Sequence, residues 1–73
     1  AASIFIIPEN DLRQVQIRLS DFSGKTIQQW NLDLIASNIL TSLNLESLLQ
    51  NGTYILTVEN SKLHFADKIL VFR

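Results

Sequence analysis

The side chains of this 73-residue chain that could catalyse a reaction or hold a metal are one histidine and seven carboxylates. The chain has no cysteine. His64 stands alone, so a histidine-based triad or a multi-histidine metal site lacks partners. The carboxylates are scattered, several of them in predicted turns (Glu9, Asp11, Asp21), without a paired acid and base spacing. We therefore expect no enzyme activity, no catalytic residues, no metal and no cofactor, and a structural or exposed role for His64.

Three further features have two interpretations each. Asn51-Gly52-Thr53 matches the N-glycosylation acceptor pattern, but the same residues suit a tight reversal. Trp30 could stack on a sugar, although a lone tryptophan in a small β-domain is more often core. Lys62, Lys68 and Arg73 could form a weak positive rim or be solvated surface charge. We favour the turn, the core and the solvated-charge interpretations.

The composition limits the class of protein. Six basic and seven acidic residues give a net charge of -1 without a basic cluster, so we expect no nucleic-acid partner. No run of about 18 apolar residues and no charged-then-apolar leader is present, so we expect neither a membrane span nor an N-terminal export signal in residues 1–73. The absence of cysteine excludes disulfides but does not indicate a compartment. The length predicts a single domain over 1–73, expected to be a fragment of a larger protein.

The stretch from Leu45 to Leu56 organises the predicted elements. It contains a strand end, a short apolar turn, the Asn51-Gly52 reversal and a new strand. Because side chains alternate along a strand, Tyr54, Leu56 and Val58 are predicted to share one face. Gly52 is one of two glycines, the residues for which positive φ is sterically free.

Strands are also predicted before this stretch. Residues 3–7 form an apolar run ended by Pro8, and residues 14–20 alternate cleanly, with Val15, Ile17 and Leu19 on one side. Residues 21–25 have the glycine of a short hairpin loop, and residues 26–34 continue as a strand. A bulge near Gln28 or Gln29 would turn Ile27 inward together with a second set of residues, Trp30, Leu32 and Leu34.

Residues 33–45 fit two structures. The apolar residues follow the helical spacing i, i+3, i+4, i+7, i+8, i+11 from Leu32 to Leu43. They also fit a loop around residues 36–38 followed by a strand. In that strand one face would have Ile39, Thr41, Leu43 and Leu45, and the other Leu40, Ser42 and Asn44. A helix would interrupt an otherwise all-strand chain, which favours the strand modestly.

The last predicted hairpin pairs residues 53–59 with residues 63–72 through a turn at 60–62. Ile69 and Val71 point to one face of the final strand while Leu70 and Phe72 point to the other. Four such side chains cannot all enter a single-sided core. Either a second layer covers this strand or another molecule binds it.

Three segments together resemble the C-terminal sorting domain of type IX secretion cargo from Gram-negative bacteria. They are residues 15–27 with the Gly24-Lys25 hairpin, residues 43–56 with the Gly-x-Tyr element at Gly52 and Tyr54, and the terminal apolar motif Lys68-Ile69-Leu70-Val71. The family usually has a proline-asparagine-proline turn near its start. Here the corresponding residues are Ile7-Pro8-Glu9-Asn10, and the sequence predicts one strand fewer between this turn and Val15.

The resemblance implies an all-β fold, a small immunoglobulin-like antiparallel β-sandwich, here of six or seven short strands. It implies a signal that directs an attached protein through an outer-membrane translocon, by way of the periplasm, to the cell surface or the medium. Shuttle proteins and a cell-surface sortase are the implied partners, and open sheet edges allow a homodimer. The predicted recognition residues are those of the last strand: Lys68, Ile69, Leu70, Val71 and Phe72. The alternatives are a binding module for sugar or protein, with an exposed Trp30, and a structural module that is never removed.

Overall fold

A computed structural model describes residues 3–45 and 49–71, and within them the chain forms six strands in two antiparallel sheets. The strands, in chain order, are β1 (Ser3–Ile6), β2 (Leu12–Asp21), β3 (Thr26–Ile35), β4 (Thr41–Asn44), β5 (Gly52–Glu59) and β6 (His64–Val71). The larger sheet has the order β3-β2-β5-β6, and the smaller sheet pairs β1 with β4. The predicted all-β class is confirmed. Of the six or seven strands predicted, the described residues form six.

The core lies on the inward face of the two central strands. Val15, Ile17 and Leu19 of β2 are buried, and so are Tyr54, Leu56 and Val58 of β5, which places both predicted apolar sets as expected. Ile17 lies opposite Val58 and Leu19 opposite Leu56, so the two sets interlock across the strand pair. The same buried cluster includes residues from the end of β3, from the smaller sheet and from the chain after it: Ile35, Leu43, Leu45 and Leu49.

The helix considered for residues 33–45 is wrong. β3 ends at Ile35, a turn follows, and β4 begins at Thr41, with Leu43 and Leu45 buried and Ile39 59% exposed. The turn is held by backbone and side-chain bonds: Asn38 N–H donates to the Pro8 carbonyl at 2.8 Å and Ser37 N–H to the Asp11 carboxylate at 2.7 Å. In the described part of the chain, no helix is suited to crossing a membrane.

The predicted bulge in β3 is present beside Gln28. The register shifts between Leu19 and Ser20, which pair with Gln28 and Thr26, so Ile27 is the extra residue. Ile27, Trp30 and Leu32 pack against the core as expected.

The prediction that Leu34 points inward is wrong: Leu34 is 45% exposed, and Ile35 is buried in its place. The change of face in β3 occurs opposite Gln14 of β2, which lies between the residues that pair with Leu34 and Leu32. Gln14 has a left-handed φ of 55°, which changes the direction of β2 at this point.

The other connections between strands contain residues that tolerate the backbone angles of turns. Gly24 and Gly52 have positive φ, 96° and 156°, and Asn38 has 57°, a conformation that asparagine tolerates. The last hairpin turns where predicted: the Asn60 side-chain oxygen accepts the N–H groups of Lys62 and Leu63, both at 2.8 Å. Residues 46–48 of the organising stretch and the terminal Phe72 and Arg73 lie outside the described residues.

Candidate functional site

The three segments singled out in the sequence meet at one end of the larger sheet. Asp21, at the end of β2, lies opposite Tyr54 of β5, and Tyr54 lies opposite Ile69 of β6. Gly52 lies opposite Val71. The β2–β3 hairpin, the Gly-x-Tyr element and the terminal apolar motif are therefore neighbours in space, although about fifty residues separate the first from the last in sequence.

The hairpin at this end is fixed by one carboxylate. Asp21 Oδ1 accepts the Ser23 hydroxyl at 2.6 Å, the Ser23 N–H at 3.0 Å and the Lys25 N–H at 2.9 Å. The Ser23 hydroxyl, then the Lys25 N–H, hold the pKa of Asp21 below its ordinary value of 3.8 because they stabilise the ionised form. Gly24, at φ 96°, completes the turn. The exposed Lys25 side chain is thereby presented beside the sheet end.

Tyr54 joins the core to the chain that enters β5. Its ring is 8% exposed, and its hydroxyl donates to the Gln50 carbonyl at 2.8 Å. A hollow of about 580 Å³ lies beside it, lined by residues of the hairpin and of the entering chain, including Lys25, Ile27 and Leu49. Tyr54 is thus a structural residue that fixes the position of β5, and with it the position of β6.

The described apolar residues at the end of β6 are divided between the two faces of the strand. Ile69 and Val71 are partly buried against the core, whereas Leu70 points outward and is 72% exposed. Lys68 shares the outward face and is exposed as well. Phe72, the second predicted outward residue, is outside the described part of the chain. β6 is also an edge strand, since its only strand partner among the described residues is β5.

The other residues considered from sequence lie elsewhere. His64 is exposed, with its Nδ1 3.1 Å from Glu59 Oε2, at the opposite end of β6 from Leu70. Trp30 is partly buried and packs against the core, as predicted, and is not an open stacking platform. Gly52 begins β5 directly after Asn51, in agreement with the reversal. Within residues 3–45 and 49–71 no three potential metal ligands cluster.

The comparisons with known proteins decide the family. A family model described as "Secretion system C-terminal sorting domain" matches residues 1–72. The chain belongs to this family. Neither curated proteins nor solved structures give a match. As a member, this sorting domain is a C-terminal signal for type IX secretion, which exports proteins to the cell surface or the medium. Membership also implies that the domain interacts with the type IX secretion machinery in general.

Sequence reasoning located the elements of the sorting domain but missed two of its supports. Asp21 is not simply one of several scattered carboxylates, as its spacing from the others suggests, because it organises the hairpin. Its spacing of two residues before Ser23 and three before Gly24 is the signal that indicates such a turn. The bond from Tyr54 to Gln50 has no comparable signal, because it depends on the path of the chain before Gly52. Within the described residues the chain goes directly from β1 through Pro8 to β2, with no strand between them.

Proposed function

We propose that the secretion machinery recognises the sorting domain through the end of β6, from Lys68 to Phe72. The partner pairs its backbone with the outer edge of this strand and accepts the exposed Leu70 side chain in a pocket. The observation that carries this proposal is the combination, in one strand, of an open edge and a 72% exposed leucine. Strand addition uses these two features: backbone bonds give affinity, and alternate side chains give specificity.

The remaining motif residues have a positioning role in this proposal. Ile69 and Val71 anchor the inward face of β6 on the core, so Leu70 and Lys68 are held on the outward face. Gly52 and Tyr54 set the start of β5, to which β6 is paired. Gly24 and Lys25 complete the same end of the sheet. The domain is thus a rigid support for a short exposed signal, which reduces the entropy lost on binding.

The partners that we propose are those that the resemblance to the family implies. A shuttle protein and the outer-membrane translocon bind the strand end after the domain has folded in the periplasm. A cell-surface sortase then separates the domain from its passenger. The sorting domain itself is recognised and performs no catalysis. Two copies could also pair through the open edges of β3 and β6, so a homodimer is the competing use of the same edge.

Deletion of residues 69–73 tests the proposal when the domain is fused to a periplasmic reporter in a bacterium with type IX secretion. We expect surface delivery of the intact fusion and retention of the truncated one. Ile69→Ala is the matched control for folding, because it weakens the core contact but keeps the strand and Leu70. Equal delivery of the intact and truncated fusions would exclude the proposal. Loss of delivery in Ile69→Ala, to the same extent as in the truncation, would assign the effect to folding instead.

A retained structural or binding module is the alternative function. It would keep the fold, and the mature surface protein would still contain residues 1–73 at its carboxyl end. Mass spectrometry of the carboxyl end of the mature protein separates the two: a sequence ending before residue 1 supports removal, and an intact domain supports the retained module.

A further inference from the structure

The domain has an apolar groove of about 690 Å³ that is separate from the outward face of β6. The groove lies between β1 with the loop after it and the inward face of β5 and β6. Among the motif residues at the sheet end, only Ile69 borders it. The groove is therefore distinct from the strand end proposed above as the recognition signal.

The groove exists because the two sheets differ in width. The smaller sheet has two strands and the larger has four among the described residues. Phe65 and Val58 are opposite each other on the same inward face, yet Phe65 is 50% exposed and Val58 only 6%. The layer that covers β5 thus stops short of β6. Large apolar side chains consequently remain open to solvent around the groove: Phe5, Ile7, Leu63 and Phe65.

An exposed apolar patch with a polar border is characteristic of an interaction surface. The two charged side chains that line the groove, Glu9 and Asp67, are both carboxylates, and no lysine or arginine is among its lining residues. A second copy that brought its own groove to this one would place like charges together in an apolar setting, which disfavours the pairing. A segment with basic residues next to its apolar ones complements both features.

The strand arrangement also indicates the conformation of this segment. β1 lines the groove, and β4 is its only strand partner among the described residues, so one of its edges is open. An extended segment that adds to this edge would widen the smaller sheet toward β6 and cover Phe65. We propose that the groove binds an extended segment of another protein, with apolar side chains at alternate positions and Lys or Arg at its ends.

Two synthetic peptides provide the test. Both alternate valine and threonine; one has lysine pairs at its ends and the other has glutamate pairs. Binding to the isotope-labelled 73-residue chain is measured by NMR titration at low salt, where screening of exposed charges is weak. We expect the lysine peptide to bind about tenfold more tightly or better, with shifts at Phe65 and Leu63.

Variants of the groove make the test specific. The double variant Glu9→Lys, Asp67→Lys changes two exposed side chains and should invert the preference between the peptides. Phe65→Ser should weaken both complexes several-fold, whereas Phe22→Ser, which changes an exposed phenylalanine outside the groove, should leave both unchanged. Equal affinity of the two peptides, or a preference that the double variant retains, would overturn the proposal. Self-association in sedimentation that Phe65→Ser abolishes would also overturn it, in favour of a second copy.

Discussion

Tyr54 and Ile69 lie directly opposite each other in the β5–β6 pair, with both side chains on the core face. Because neighbouring residues of a strand alternate between faces, this pairing fixes Leu70 on the outward face, where it is 72% exposed. A core contact thus determines which side chain of the terminal motif is available to a partner. The stability of the domain and the presentation of its signal are separable, and substitutions at adjacent positions can distinguish them.

Substitutions at Ile69 and Leu70 should differ in their effect on the free energy of unfolding. Ile69→Ala removes apolar contacts with the core and should lower the free energy of unfolding by about 1–3 kcal/mol, less than a fully buried isoleucine would. Leu70→Ala removes a solvent-exposed side chain and should change it by less than about 0.5 kcal/mol. Urea denaturation followed by the fluorescence of Trp30 measures both. A larger loss at Leu70 than at Ile69 would contradict the assigned faces.

The Tyr54 hydroxyl contributes one hydrogen bond, to the Gln50 carbonyl at 2.8 Å. Tyr54→Phe keeps the buried ring and removes this bond, so we expect the free energy of unfolding to fall by about 1 kcal/mol. The control is Phe22→Leu, which changes an aromatic side chain that is 67% exposed and should have little effect. A Tyr54→Phe variant as stable as the wild type would show that the bond adds nothing to the fold.

The Asp21 carboxylate should make stability sensitive to acid. Its pKa is below 3.8 in the folded chain, because the Ser23 hydroxyl, then the Lys25 N–H, donate to it. Its contribution is therefore fully present above pH 3.8 and is lost as the pH falls through the lower folded value. Asp21→Asn should remove this part of the acid dependence. Urea midpoints between pH 2 and pH 7 provide the measurement, and indistinguishable profiles for the wild type and Asp21→Asn would refute the expectation.

The core on β2 should tolerate little loss of volume. Ile17 is fully buried, and Ile17→Ala should cost about 2–5 kcal/mol, a large part of the stability of so small a domain. Ile39→Ala makes the same chemical change at a side chain that is 59% exposed and should cost less than about 0.5 kcal/mol. Circular dichroism and urea denaturation compare the two. Similar stability of both variants would be incompatible with the assigned core.

Much of this fold follows from short-range patterns in the sequence. The alternation in β2 and β5 identified their buried faces, and Pro8, Gly24 and Asn60 marked real connections. Residues 33–45 were ambiguous because their isoleucine and leucine spacing fits a helix and a strand equally. Only pairing with β1, a contact between Leu43 and Ile4 that is distant in sequence, selects the strand.

Predictions failed where the geometry of the backbone depends on a partner strand. Alternation from Trp30 and Leu32 predicts Leu34 inward, but the chain changes face before Ile35, near the left-handed Gln14 on the opposing strand. The terminal motif was easier to interpret, because four apolar residues in succession cannot share one face. The open edge of β6 and the groove beside it required the sheet order, which no local pattern contains.

The most direct measurement of the central claim is surface delivery of a reporter fused to the domain with Leu70→Ser, compared with Ala66→Ser. Both substitutions place a serine on the outward face of β6, and both should leave the fold intact. Immunolabelling of intact cells should show a several-fold loss of surface reporter for Leu70→Ser and none for Ala66→Ser. Full delivery of the Leu70→Ser fusion would contradict recognition of the domain through this exposed leucine.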